Sequence, residues 1–157
     1  MQKTVNLYPA RGLPGQEVNV HTAIYTPFNY LSDGTAAVGS FVFAKEVTNS
    51  TGAVIFKQAS AKGTGQPLGF VERVLTGALG YKEDGTLVYA EGAELTIARR
   101  GDYYAANAGG AKVGQAVLCD PATGKITYGD VGAANDTGWV VYAIGADESE
   151  PIIISNR

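Results

Sequence analysis

The sequence has almost none of the residues that build most reactive centres. Its 157 residues include one cysteine, Cys119, and one histidine, His21. A lone cysteine excludes an intramolecular disulfide, and a metal site needs several Cys, His or carboxylate ligands at suitable spacing. We therefore expect His21 to serve surface or packing roles, and Cys119 to be a buried, unreactive thiol. The same scarcity limits acid–base catalysis by histidine.

Charge is also sparse. Charged residues make up 17% of the chain, and the formal net charge is −3. An acidic balance argues against a nucleic-acid partner, which requires a basic surface to displace counterions from phosphates. The adjacent pair Arg99–Arg100 is therefore expected at a solvated or ion-paired strand end. Low charge is also typical of a surface that protein partners cover, where lysine and glutamate are depleted.

Long apolar runs are absent as well. No run is long enough to cross a bilayer, and the opening MQKTVNLYPARG contains no apolar core of signal-peptide length. These features predict a protein made in the cytoplasm, with no membrane partner.

Two motifs that suggest ligands are incomplete. Gly63-Thr64-Gly65 resembles part of a phosphate loop, but no Lys-Ser/Thr follows it. Asp147, Glu148 and Glu150 form an acidic cluster that lacks the denser set of oxygen ligands calcium requires. We interpret the first as a flexible loop and the second as a solvated turn, and predict neither a cofactor nor a metal.

Short β-branched and aromatic runs, separated by turn residues, predict an all-β chain. The predicted strands are 17–25, 39–44, 53–56, 66–75, 86–89, 94–98, 113–118, 125–128, 138–144 and 151–154, with loops at 59–65 and 101–110. Their spacing of ~8–12 residues is typical of a sandwich or barrel. Asp120-Pro121-Ala122-Thr123-Gly124 marks the clearest hairpin, because proline and glycine occupy turn positions. The chain length favours one domain, at residues 17–157.

The stretch QPLGFVER, residues 66–73, is predicted to be a central strand. Leu68 and Phe70 fall on one side of an extended chain and Val71 on the other, so both faces carry apolar residues. Gly69 predicts a bend or the close approach of another backbone.

Residues 1–16 are predicted to form an irregular arm, because Pro9, Pro14 and nearby glycines interrupt any regular pattern. Leu7, Tyr8 and Leu13 give this arm apolar side chains, so it either lies across its own domain or reaches a neighbour.

Tyrosine is the most informative residue type, with nine Tyr against five Phe and one Trp. Tyr25, Phe28 and Tyr30 crowd one segment, and Tyr103 and Tyr104 crowd another. Tyrosine is enriched at protein contacts, but it also seals the ends of barrels, and the sequence leaves both alternatives open.

Several segments, in order, resemble the bacteriophage structural cement (capsid decoration) proteins of tailed phages. The segments are Tyr8-Pro9-Ala10, Gly12-Leu13-Pro14-Gly15, Val38-Gly39-Ser40-Phe41-Val42, Pro67–Arg73 and Gly114–Gly129. The resemblance implies a compact jelly-roll or barrel-like domain on the outer surface of an icosahedral head. It also implies a homodimer or homotrimer that binds where major capsid protein subunits meet, reinforces the expanded shell and has no enzymatic activity.

On this interpretation, the arm and the two tyrosine-rich segments are the expected capsid or neighbour contacts. The candidate residues are Leu7, Tyr8, Arg11, Leu13, Tyr25, Phe28, Tyr30, Tyr103 and Tyr104. Arg11, Arg73 and Arg99 are candidates for pairing with acidic capsid residues.

The sequence is also compatible with two other classes of function. One is another virion β module, from the tail or from a receptor- or carbohydrate-binding protein, in which Tyr103 and Tyr104 would stack on sugars. The other is a glycosidase using two carboxylates, with Glu72, Glu91 and Glu94 as possible members.

Overall fold

The computed structural model describes residues 12–19, 22–74 and 79–156, and every regular element in these ranges is a β-strand. The strands are β1 (Ile24–Tyr25), β2 (Tyr30–Ser32), β3 (Phe41–Thr48), β4 (Val54–Ser60), β5 (Gly69–Val71), β6 (Leu79–Tyr81), β7 (Leu87–Tyr89), β8 (Glu94–Leu95), β9 (Ile97–Ala105), β10 (Ala116–Cys119), β11 (Ile126–Gly129), β12 (Asp136–Ala143) and β13 (Ile152–Asn156). The predicted all-β class is confirmed. Within the described ranges, no helix has the length and hydropathy needed to cross a bilayer.

Most strands belong to one large sheet. Eleven strands share it, in the order β11-β10-β12-β13-β9-β5-β3-β4-β2-β8, with β1 also paired to β9. The pairs are antiparallel except β2 and β4, which are parallel, so the sheet is mixed. Strands β6 and β7 form a separate antiparallel pair. This connectivity fits a jelly-roll-like sandwich.

Strands β3, β5 and β9 separate two hydrophobic cores. Phe41, Phe70 and Ala98 belong to the first core, which extends to β10, β12 and β13. Their chain neighbours Val42, Val71 and Ile97 belong to the second, with Tyr30, Tyr89 and Leu95. Because successive side chains of a strand point to opposite faces, each of these strands contributes to both cores. The prediction that QPLGFVER contains a central strand covered on both faces is confirmed, although the strand itself is only β5.

An aromatic cluster fills the first core. The ring of Trp139 lies 5.9 Å from that of Phe41, 5.8 Å from that of Phe70 and 6.1 Å from that of Tyr103, measured between centroids. Tilted and edge-on pairs at such distances contribute roughly 0.5–1.5 kcal/mol each beyond their buried area. This cluster joins β3, β5, β9 and β12.

The close backbone approach predicted at Gly69 is also confirmed. A Cβ atom at this position would lie 2.8 Å from Cγ2 of Ile97, and closer still to the carbonyl oxygen of Ala98. Side-chain carbons do not occur at such distances, so β5 and β9 can pair this closely only if residue 69 is glycine.

The predicted hairpin at Asp120–Gly124 is confirmed. It joins β10 to β11, whose register runs from Ala116 opposite Gly129 to Cys119 opposite Ile126. The Gly124 amide donates to the Asp120 carbonyl at 2.8 Å, and Gly124 has a φ of 69°. A residue with a side chain is strained at that φ, which explains the glycine.

Three further segments differ in extent or type from the prediction. Residues 17–25 are not one strand, because Glu17 forms an isolated bridge to Tyr103 and the strand β1 covers only Ile24–Tyr25; Val20 and His21 lie outside the described residues. Residues 101–105 are not a loop, because they complete β9 and pair with β13. Ala59 and Ser60 belong to β4 rather than to the following loop.

The described part of the predicted arm lies along its own domain. The Gly15 amide donates to the Tyr104 carbonyl at 2.8 Å, and the Tyr104 amide donates to the Gln16 carbonyl at 2.9 Å. On the other side, the Arg73 amide donates to the Gly15 carbonyl at 2.8 Å. Residues 12–18 therefore extend the sheet between β9 and the end of β5. Residues 1–11 lie outside the described residues, so the proposed boundary between residues 16 and 17 stays a prediction.

Candidate functional site

The structure divides the predicted contact residues into buried and exposed groups. The side chain of Tyr103 is 0% exposed and that of Tyr30 is 7% exposed, so both pack inside the cores. For these two residues the structure favours the packing alternative over a surface role. Because Tyr103 is buried, its ring is not accessible for stacking on a sugar, as the hypothesis for Tyr103 and Tyr104 requires. Leu7, Tyr8 and Arg11 lie outside the described residues.

Leu13, Tyr25, Phe28 and Tyr104 keep some access to solvent. Phe28 is 55% exposed in the turn after β1, and the Thr26 hydroxyl donates to its carbonyl at 3.1 Å. Tyr104 is partly covered, because a Cβ on Gly12 would overlap its ring, while the adjacent Leu13 is exposed. These four residues remain candidate contacts.

Three depressions share Arg99 in their lining, and one of them also includes the residues of β1. One depression is lined by Ile24, Tyr25 and Arg100, and a second by Phe28, Pro67 and Leu68; Arg99 borders both. A third depression, next to Asn156 and Trp139, also meets Arg99. We call this surface the Arg99 groove. Its position follows from pairing, because β1 places Ile24 opposite Arg100 and Tyr25 opposite Ala98.

The arginines of this groove have exposed side chains and form no ion pair with a described residue. The side chain of Asn156 holds the local backbone, because its Nδ2 donates to the Arg99 carbonyl at 3.2 Å. The expectation that the Arg99–Arg100 pair is solvated is confirmed, although the pair lies within β9 rather than at its end. Guanidinium groups next to exposed apolar side chains are typical of protein contact sites.

The second exposed feature is the outer half of the β3–β4 hairpin, residues 45–57, which we call the distal hairpin. Val54, Ile55 and Phe56 are all exposed, with Ile55 at 60%. Hydrogen bonds to one side chain hold the turn, because Asn49 Oδ1 accepts from the Thr51 amide at 3.0 Å and from the Ala53 amide at 2.9 Å. A two-stranded ribbon with exposed apolar residues is a marginal structure unless something covers it.

A cation–π contact joins the two features. Lys57 Nζ of the distal hairpin lies 3.8 Å from the ring centroid of Phe28. At the base of the hairpin, Lys45 Nζ lies 3.8 Å from Asp33 Oδ2. The Arg99 groove and the distal hairpin therefore adjoin at Phe28.

A cluster of acids and tyrosines lies behind the groove. The Tyr103 hydroxyl donates to Glu72 Oε2 at 3.3 Å, and Glu17 Oε1 is buried without a hydrogen-bond partner in the described residues. Burial raises the pKa of Glu72, and the nearby charge of Glu17 adds to this, while hydrogen bonds from Tyr25 and Tyr103 act in the opposite direction. The carboxylate whose charge acts on Glu72 is thus Glu17, which was not among the possible members of the glycosidase pair, Glu72, Glu91 and Glu94.

Cys119 fits the prediction of a buried, unreactive thiol. It lies in the first core, and burial raises the pKa of its thiol to about 12, with a further contribution from the neighbouring Asp120 carboxylate. A thiol with that pKa is protonated at neutral pH and is a poor nucleophile.

Sequence reasoning missed Ile24 and the Val54-Ile55-Phe56 run as surface features, and it did not include Arg100 among the candidate contacts. The run was predicted to be a strand, and its composition is that of a core strand. The signal that could have separated it is the polar turn NSTG at 49–52, which directly precedes it and marks a hairpin tip.

The chain was compared with known families and structures. A family model described as structural cement protein (E217 gp24/Pam3 gp6) matches residues 1–156. The chain belongs to this family of phage structural cement proteins. The resemblance seen in the sequence is thereby confirmed, and this cement protein has a structural role in a phage capsid, where it associates with capsid proteins as part of the virion.

A solved structure supports the fold of the cement protein. A chain in "The capsid of Myoviridae Phage XM1" aligns with a TM-score of 0.59 and 14% sequence identity, covering 100% of this chain and 97% of that one. At this identity the likeness shows that the two chains share a fold. No curated protein sequence matches the cement protein significantly.

Proposed function

We propose that this cement protein binds the outer surface of the phage head, bridges neighbouring major capsid protein subunits and stabilises the expanded shell. The family match over residues 1–156 is the observation that carries the proposal. The protein acts without catalysis, as a homodimer or homotrimer, through its surface alone.

Two separate exposed surfaces support the bridging proposal. One is the region around Phe28, formed by the Arg99 groove and the distal hairpin. The other is the exposed stripe formed by Val140 and Tyr142 of β12 and by Ile144, which directly follows it. Strand β13 separates β12 from β9, so the two surfaces lie on different strands of the same sheet. A contact at each surface would join two neighbours through one body.

Bridging gains strength because the second contact is intramolecular once the first has formed. Linked contacts can raise the overall affinity by ~10²–10⁴ without any new interaction. The gain requires that the body holds both surfaces in fixed positions. The buried aromatic cluster around Trp139 and the strands shared by both cores provide that rigidity.

Among the predicted contact residues, Leu7, Tyr8, Arg11, Leu13, Tyr25, Phe28 and Tyr104 belong to the proposal as contacts with the capsid or with a neighbouring copy. Tyr30 and Tyr103 contribute to it by packing, since their burial leaves no side-chain surface for a partner.

The test is rebinding to heads from which the cement protein has been stripped. We expect wild-type protein to rebind and to raise the temperature at which heads release their DNA. A Phe28→Ser, Ile55→Ser variant should rebind weakly, and Tyr142→Ser should rebind but restore less heat resistance. Tyr81→Ser is the control, because Tyr81 is 79% exposed on the separate β6–β7 pair. Heads that withstand heating equally well with and without wild-type protein would contradict the proposal.

A further inference from the structure

We infer that the Arg99 groove is the docking site for an extended acidic segment of a capsid protein, whose carboxylates pair with Arg99 and Arg100. The inference rests on the proposed function and adds the chemistry of the partner. It is carried by the charge of the groove, by the apolar side chains that line it and by its position along the sheet.

The charge of the groove is unbalanced. In a chain with a net charge of −3, two adjacent arginines are exposed on β9 and no described carboxylate pairs with either of them. The acids whose charges influence Tyr25 are Glu72 and Glu17, and both lie in the cluster around Tyr103. An acidic ligand would therefore meet two arginines that no described carboxylate pairs with. The planar guanidinium group favours carboxylates through paired hydrogen bonds.

The lining of the groove favours a polypeptide over a small anion. Ile24 and Phe28 are exposed before and after Tyr25 in the chain, and Pro67 and Leu68 line the same depression as Phe28 and Arg99. A free anion would use the guanidinium groups and leave these apolar side chains in water. A chain segment with acidic residues flanked by apolar ones would cover both.

The shape favours an extended segment. Arg99 borders both the depression lined by Ile24 and Tyr25 and the depression lined by Phe28, so the residues that line the two follow the chain from β1 into the next turn. Strand β1 has only two residues and pairs with β9. An extended ligand would follow this short strand and place a carboxylate near Arg99.

The first experiment measures rebinding to stripped heads at about 50 mM and about 200 mM salt, because charge pairing between exposed groups weakens with ionic strength. The variant is Arg99→Glu, Arg100→Glu. Its matched control is Lys82→Glu, Lys112→Glu, which makes the same change in net charge at two exposed lysines elsewhere. We expect the arginine variant to bind on the order of tenfold more weakly or worse at low salt, with a reduced salt dependence, and the control to bind like wild type.

The second experiment identifies the partner group. The amine introduced by Arg99→Lys can be joined by a water-soluble carbodiimide to a carboxylate in contact with it. We expect mass spectrometry of treated heads to find position 99 linked to an aspartate or glutamate of a capsid protein. The same treatment of the lysine at position 112 should give no such link.

Each outcome separates the two proposals. If wild-type protein does not bind heads, the proposed function fails. If wild type binds and the arginine variant binds equally well, or if position 99 gives no link to a capsid carboxylate, the function stands and the acidic-segment inference is wrong. Tight binding of single-stranded DNA by wild type that the arginine variant loses would assign the groove to nucleic acid and would also overturn the inference.

Discussion

Replacing Gly69 by alanine tests how closely the two central strands approach each other. The added Cβ would lie 2.8 Å from Cγ2 of Ile97 and closer to the Ala98 carbonyl oxygen, and Gly69 is fully enclosed in β5. Both neighbours belong to β9, and the clash with Ala98 is with backbone, so the strands must separate. Overpacking of this kind costs roughly 1–3 kcal/mol.

This cost is a large fraction of the free energy of unfolding, which is typically about 5–15 kcal/mol. For a domain of this size, each kcal/mol lowers the melting temperature by roughly 2–4 °C. We therefore expect Gly69→Ala to lower the melting temperature by roughly 2–12 °C in calorimetry and to lower the urea midpoint without changing the slope.

Gly80→Ala is the matched control for this prediction. Gly80 also lies in a strand, β6, but a Cβ there would meet nothing within 4 Å. The control should change the unfolding free energy by less than about 1 kcal/mol, and a small gain is expected from the reduced entropy of the unfolded chain. Equal effects of the two substitutions would refute the explanation based on close approach.

Three further predictions concern buried side chains. Cys119 should not react with a thiol reagent at pH 8 in the folded protein, because with a pKa of about 12 its thiolate fraction is on the order of 10⁻⁴. Reaction should begin only when denaturant unfolds the protein. Rapid labelling of the native protein would contradict the burial of Cys119. Glu72 has a pKa raised above 4.5, so the folded state binds more protons than the unfolded state, and stability should fall as the pH rises from that value through the raised pKa. Glu72→Gln should remove this part of the pH dependence, measured as the difference in melting temperature between variant and wild type from about pH 4 to about pH 7. A difference that stays constant over this range would contradict the raised pKa of Glu72. Trp139→Ala should cost roughly 3–5 kcal/mol, because the ring is fully buried among Phe41, Phe70 and Tyr103; chemical denaturation would measure this, and a loss below about 1 kcal/mol would show that the cluster repacks.

The elements that could be predicted from the sequence are those whose composition is compatible with only one structural environment. Apolar residues on both faces of QPLGFVER require two covered faces, and a glycine within it requires close approach, so β5 and its central place were predictable. The turn Asp120–Gly124 was equally clear, because aspartate, proline and glycine each meet a specific backbone requirement. The family resemblance then pointed to a function that no single residue indicates.

The extent of β9 was not predictable from local composition. Arg99, Arg100, Gly101 and Asp102 form a polar run with a glycine, which is typical of a loop. Pairing with β13 overrides this preference, because it buries Tyr103 and Ala105 in the first core. Strand preference depends on such neighbours more than on the residues themselves.

The candidate contacts were also only partly predictable. Tyrosine occurs both in cores and at interfaces, so counting tyrosines could not separate buried Tyr30 and Tyr103 from exposed Tyr25. The distal hairpin posed the reverse problem, because Val54, Ile55 and Phe56 have the composition of a core strand although they project from the body. Only the tertiary structure shows which apolar residues remain uncovered.

Sharing β3, β5 and β9 between two cores has a consequence for how the protein fails. Neither core can unfold alone, because unfolding one core would expose to water the apolar side chains on one face of the strands that support the other core. Unfolding is therefore expected as a single all-or-none event, with no half-folded form in between. If the proposed function holds, such a molecule would resist rising pressure from packaged DNA up to its limit instead of yielding gradually.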